Sequence, residues 1–214
     1  QEYPNHVLAG AGVAYKLAWQ IAREICGSAR VDDTFRQFLM ETLALAALGT
    51  IADSVPLVGE NRTLAVFGLD AMTKSGNRGL EALLVSAGRE GKALTATDVS
   101  FGLAPRLNAA GRMGHAEQAI ELLIGSDAAR CKELAAHLEE ENIRRQKVEQ
   151  AITAEATEMA RAGMPVHALM KLLGHKTPKM TMRYVEVAQN DVREAYDQAM
   201  TQLSVIRSVQ SRTL

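Results

Sequence analysis

Arg106, Asn108, Arg112 and His115 crowd into one short stretch, Ala104-Pro-Arg-Leu-Asn-Ala-Ala-Gly-Arg-Met-Gly-His115. Arginines held at fixed separation can fork onto phosphate oxygens, and Gly111 lets a backbone approach closely. The composition suits phosphate handling. The competing reading is a solvated loop with surface ion pairs, in which His115 is only a residue at a helix start. Asp53 is the second candidate, at the exit of the most apolar segment of the chain. A carboxylate there is either pinned in the turn before Pro56 or held at the rim of a site. Phosphodiester hydrolysis by metal-activated water needs hard oxygen ligands that hold Mg²⁺ or Mn²⁺, and one Asp projecting from a buried element suits that role.

The elements that must position these residues read as helices almost throughout. Residues 11–26 place Val13, Leu17, Ile21 and Ile25 four apart on one face, with Gly27 as the stop. Residues 33–52 carry an apolar run from Leu43 to Ala52, long enough for a buried helix, although Leu45–Ile51 alone would pass for a short buried strand. Asn61 is a fair N-cap for a helix through Leu64, Phe67, Leu69 and Met72, ending near Gly76. Leu80–Ala87 is a further short helix, Gly88-Arg-Glu-Gly-Lys a loop, and Thr97 a cap for the element with Val99, Phe101 and Leu103. The stretch with Arg106 and Arg112 reads as a Gly-containing turn between helices.

Ala116–Ile124 is a short amphipathic helix ended by Gly125. Ser126 and Asp127 then open the longest periodic segment, toward Ala162. Its seam is Cys131, Leu134, Leu138, Glu141, Arg145, Val148 and Ile152, and Glu141 can pair with Arg145 at i,i+4. Val166–Leu173 and Asn190–Ile206 are helical stretches around a basic loop with Lys176 and Lys179. Gly10-x-Gly12 before a helix invites a phosphate-loop reading, but Tyr15 stands where a dinucleotide fingerprint needs its third Gly, so it reads as a tight turn.

The Arg106–His115 stretch, Ala47-Leu-Gly-Thr-Ile-Ala-Asp-Ser-Val-Pro56 and Leu8-Ala-Gly-Ala-Gly-Val-Ala14 together resemble the RecJ-type single-strand-specific exonucleases of the DHH phosphoesterase family, over roughly residues 2–156. The resemblance implies that Asp53 is a ligand of Mn²⁺ or Mg²⁺. It implies that Arg106, Asn108, Arg112 and His115 contact single-stranded DNA, and that the long helix connects two catalytic lobes. The fold it implies is mainly α: the helical part of a DHH-type α/β phosphoesterase domain over 1–125, a connecting helix over 126–156 and a small helical tail over 157–214. The family takes most of its metal ligands from an Asp-x-Asp motif and an Asp-His-His triplet, and grips substrate with Gly-Gly-His. This chain has no adjacent histidines and no Gly-Gly pair. One carboxylate cannot hold two metals, so cleavage by this chain alone is not expected.

The stretch from Ala162 through Leu173-Gly-His175 to Tyr184 resembles the end of a tyrosine recombinase (phage integrase family) catalytic domain. That resemblance makes His175 a catalytic assistant and Tyr184 the nucleophile on a DNA phosphate. A phenol is a weak nucleophile, and the transition state needs cationic donors around the phosphoryl oxygens. The upstream Arg, Lys and His-x-x-Arg of that family are absent, so Tyr184 and His175 are expected to be vestigial. Arg161, Lys171, Lys176, Lys179 and Arg183 bias the stretch positive, which suits either weak, salt-sensitive DNA binding or a solvated face.

Composition narrows the choices. A formal net charge of -1 gives no global field toward nucleic acid, so binding must come from local patches. Hydrophobic content of 47% supplies a core, and aromatic content of 4% is low. Cys26 and Cys131 make no disulfide framework, which fits the reducing cytoplasm. No apolar run is long enough for a membrane span, and the opening Gln1 is compatible with an excised product. Four readings stay open: an incomplete exonuclease segment, a recombinase fragment, a non-catalytic helical DNA-binding module and an inert fusion of gene fragments. A core cut from its sheet should leave apolar surface uncovered around Leu43–Ile51 and favour self-association.

Overall fold

The computed structural model describes residues 3–112 and 116–189, with Arg193 and Met200. It is mainly α, and no strand occurs among the described residues. The helices are α1 (Gly10–Cys26), α2 (Asp33–Ala52), α3 (Gly59–Thr73), α4 (Arg78–Ser86), α5 (Ala96–Asp98), a π turn (Val99–Leu103), α6 (Ala104–Arg112), α7 (Ala116–Ile124), α8 (Ala128–Arg161) and α9 (Val166–Leu173). A further helix begins at residue 178 and includes 189. The expected helix over Asn190–Ile206 lies outside the described residues, apart from two isolated positions. Two compact units result, 1–145 and 146–214, and α8 runs through both. No helix among the described residues is long and apolar enough to cross a membrane.

The first unit is organised around α2. Asp32 caps it by accepting from the Phe35 amide at 2.8 Å, and an Ala- and Leu-rich run of strong helix formers follows. Leu43, Ala44, Ala46, Ala47, Leu48, Thr50 and Ile51 are all buried, so this helix is covered on more than one side. That is how a helix apolar all round settles. The strand alternative for Leu45–Ile51 is excluded, and so is the expected uncovered surface there: α1 and α3 both pack on α2. The close approach depends on small residues. A Cβ on Gly49 would meet the Ala11 Cβ at 2.5 Å, and one on Gly68 would meet the Ala47 Cβ and, at 2.8 Å, the Leu43 carbonyl oxygen. Below this layer, Met72, Leu80, Leu83, Val99, Leu103, Leu122, Cys131, Leu134 and Leu138 form one continuous core. Burial pushes the Cys131 thiol above its usual range.

The apolar stripe of α1 has the opposite fate. Val13, Leu17, Ile21 and Ile25 are at least half exposed, while Gly12 and Ala22 take the buried side. The α1–α2 contact needs small side chains, so the bulky row is turned away. Among the described residues, α1 therefore carries a row of uncovered apolar side chains. Gly27 ends the helix as expected, with a left-handed φ of 57°, and the Ser28 amide closes back on the Arg23 carbonyl at 3.3 Å.

Two expected caps move. Asn61 lies inside α3, fully buried, and its amide donates to the Val7 carbonyl at 2.8 Å and the Pro56 carbonyl at 3.0 Å. It fastens the N-terminal segment to α3 instead of starting the helix. Thr95, not Thr97, caps the turn before Val99, and Asp98 completes a capping box with it. Those Thr95 hydrogen bonds hold the Asp98 carboxyl below its usual value.

In the second unit the buried set among the described residues is Ala156, Thr157, Leu169, Thr181 and Ala188. The seam of α8 is buried at Cys131, Leu134 and Leu138, yet Val148 and Ile152 are 54% and 46% exposed.

Candidate functional site

The Arg106–Arg112 stretch is a helix, not a turn. Ala104, Leu107, Ala109 and Ala110 favour α6, and Pro105 sits in its first turn, where a missing N–H costs least. The π turn just before it, closed by the Ala104 amide on the Val99 carbonyl, widens the backbone where a proline could not donate.

Helix formation turns Arg106 inward. Its guanidinium pairs with Glu139 on α8 and donates to the Gly102 and Ser86 carbonyls, and its side chain is only 13% exposed. The signal that pairs Arg106 with Glu139 is tertiary, and no sequence spacing contains it. Asn108 is exposed and borders a shallow opening with Leu107, Gly111, Ala116 and Ala119. Arg112 is the last residue of α6; its side chain, and all of His115, lie outside the described residues. On α8, Asn142 is buried and accepts from Arg145 at 3.2 Å, while Glu141 lies 3.9 Å from Arg144.

Asp53 is the C-cap of α2 and is exposed; its amide donates to the Gly49 carbonyl at 3.0 Å. Ser54 follows in the left-handed region at φ 55°, which turns the chain toward Pro56. A non-glycine residue there carries local strain. Among the described residues no three His, Cys, Asp or Glu side chains converge as a metal site needs. They do not by themselves fit a Mn²⁺ or Mg²⁺ centre.

In the tail, the left-handed Gly174 ends α9 and delivers His175. Its Nδ1 lies 2.8 Å from the hydroxyl of Thr181, which is fully buried. The His175 and Tyr184 rings are stacked, 6.1 Å between centroids and 10° between planes. The two residues singled out in the sequence are thus brought together, both half-buried. Lys171, Lys176, Lys179 and Arg183 are exposed around them.

The Phage integrase family matches residues 130–191. Over 158 residues the chain is 43% identical to the single-stranded-DNA-specific exonuclease RecJ of Bacillus subtilis (strain 168), covering 73% of this chain and 18% of that protein. Most of this chain is homologous to part of RecJ. The RecJ structure from Thermus thermophilus in complex with Mn²⁺ superposes with a TM-score of 0.60 at 40% identity, over 70% of this chain and 21% of that one. The same enzyme in complex with Mg²⁺ gives 0.63 at 38% identity, over 73% and 23%. The chain thus spans about a fifth to a third of the RecJ proteins it matches. The RecJ-like helical segment and the integrase-like tail expected from the motifs are both present.

Proposed function

We propose that this chain is a helical segment of a RecJ-type exonuclease that holds single-stranded DNA and does not cleave it alone. The observation that carries this reading is the Arg106–Glu139 pair. It pins α6 to α8, so that Asn108 and the end of α6 stand at an open surface. In this reading Arg106 positions the helix, and Asn108, Arg112 and His115 reach the strand. Asp53 offers one carboxylate to a divalent ion whose other ligands belong to a longer RecJ-type chain. Residues 1–125 are the RecJ-like part, 126–156 the connector and 157–214 the recombinase-derived tail. The two free thiols fit a cytoplasmic setting. In this reading self-association uses the exposed α1 row of Leu17 and Ile21.

The test is incubation of 5′-labelled single-stranded DNA with the chain and Mn²⁺, beside EDTA and Asp53→Ala controls. The expected result is salt-sensitive retention of the strand, weakened in Arg112→Ala, with no cleavage above the controls. Metal-dependent 5′ cleavage that Asp53→Ala abolishes would overturn the non-catalytic half of the proposal.

The integrase match and the His175–Tyr184 stack favour a second reading for the tail, as a recombinase remnant. Phenol attack on a phosphate needs several cationic donors at once. No covalent DNA adduct is expected, and a denaturing-gel adduct lost in Tyr184→Phe would make the tail an active nucleophile.

A further inference from the structure

Away from α6 and the tail, a cleft of about 620 Å³ opens between the end of α3, α4, the loop 87–92 and the start of α8. Its apolar wall is Ala82 and the half-exposed Val85, backed by the buried Met72 and Leu84, and its cationic rim is Arg78, Arg89, Lys92 and Lys132. Two carboxylates, Glu81 and Glu90, also line it. Glu81 is already paired with Arg78 at 3.0 Å. Arg89 pairs at 2.8 Å with Asp98, which stands outside the cleft. Lys92 donates to the Gly88 carbonyl at 2.8 Å, and its charge is also felt by Asp98. Gly88 and Gly91, both at φ 65°, curl the loop so that Lys92 returns toward α4. A chain of net charge -1 thus gathers four cations around one concavity, against the two lining carboxylates and Asp98.

We propose that this cleft is a phosphate site for a nucleotide unit, separate from the α6 surface. Arg and Lys distributed around a concavity suit the several oxygens of a phosphate better than a single carboxylate. The aliphatic wall suits the face of a base, and the volume lies in the range of small-molecule sites. The phosphate has two sources of the same chemistry, a single-strand backbone and a free mononucleotide. The choice of the strand as one source rests on the function proposed above.

The experiment measures binding of labelled oligothymidylate and of dTMP to the whole chain, to a Lys92→Glu/Lys132→Glu variant and to Arg112→Ala. Both lysines are exposed, so unchanged thermal melting is expected; a Lys92→Gln/Lys132→Gln variant serves if the reversal unfolds. The expected result is about tenfold weaker binding of both probes in the lysine variant, with a shallower salt dependence. If dTMP binds in a lysine-dependent way but the oligonucleotide does not bind at all, the cleft stands and the strand-holding function fails. If the oligonucleotide responds only to Arg112→Ala and neither probe responds to the lysines, the cleft proposal is overturned and the strand-holding function stands. If neither probe binds, both fail.

Discussion

The two compact units solve the burial problem differently. In residues 1–145 one core runs without interruption from Ala44 to Leu138 and draws on most of the helices. In residues 146–214, Leu169 is the one large aliphatic side chain that is fully buried among the described residues. The first unit can lose a contact and share the loss among neighbours. The second depends on a few residues, and Val148 and Ile152 meet water on the helix that passes through both. RecJ similarity covers 73% of the chain, and the integrase family matches residues 130–191, across the boundary between the units.

That contrast breaks most sharply under matched truncations. Leu138→Ala should cost about 2–5 kcal/mol of global stability in urea titrations, as for other buried leucines. Leu169→Ala should instead open the second unit, seen as faster proteolysis beyond residue 146 while the main melting transition stays put. Equal effects of both variants on the main transition would make the two units one cooperative body. Next in size is Gly79→Ala. Its Cβ would overlap the Leu122 carbonyl between α4 and α7, so overpacking of about 1–3 kcal/mol outweighs the gain in helix propensity. A stabilised variant would mean that α7 moves freely against α4.

Smaller effects sharpen the picture around the candidate residues. Ser54→Gly should stabilise by about 1 kcal/mol, because glycine relieves the left-handed backbone beside Asp53. A loss of stability would show that the serine side chain makes the turn.

The smallest effect is electrostatic. Burial works against the Lys16 charge, but the hydrogen bonds that its ammonium donates to Glu60 and Tyr3 outweigh it and raise its pKa, and Lys16 in turn lowers that of Glu60. A depressed carboxyl stabilises above its unfolded value, near 4.5, and that contribution fades as pH falls through the lower folded value. The raised Lys16 contributes below 10.5 and loses its share as pH climbs through the higher folded value. Both side chains are at least a third exposed, so salt should shrink the effect. Glu60→Gln should flatten the acid limb of the stability curve, and an unchanged limb would remove the pair from the account.

The sequence by itself determined that the chain is helical, where α1, α7 and α9 lie, and that it is similar to two families. Those signals are local: periodicity, capping residues, left-handed glycines and dense motifs such as the one around Asp53. Pairing His175 with Tyr184 was also legible, because both lie on a short stretch with a recognisable spacing. Tertiary structure decided which apolar face is covered. Val13, Leu17, Ile21 and Ile25 form the more obvious stripe of α1, yet the small side chains beside it fit the narrow gap to α2. It also decided that Arg106 turns toward Glu139 and that Asn61 holds the N-terminal segment, because their partners are distant in sequence. Periodicity marks a face that can be buried; only the shape of its neighbours selects the face that is.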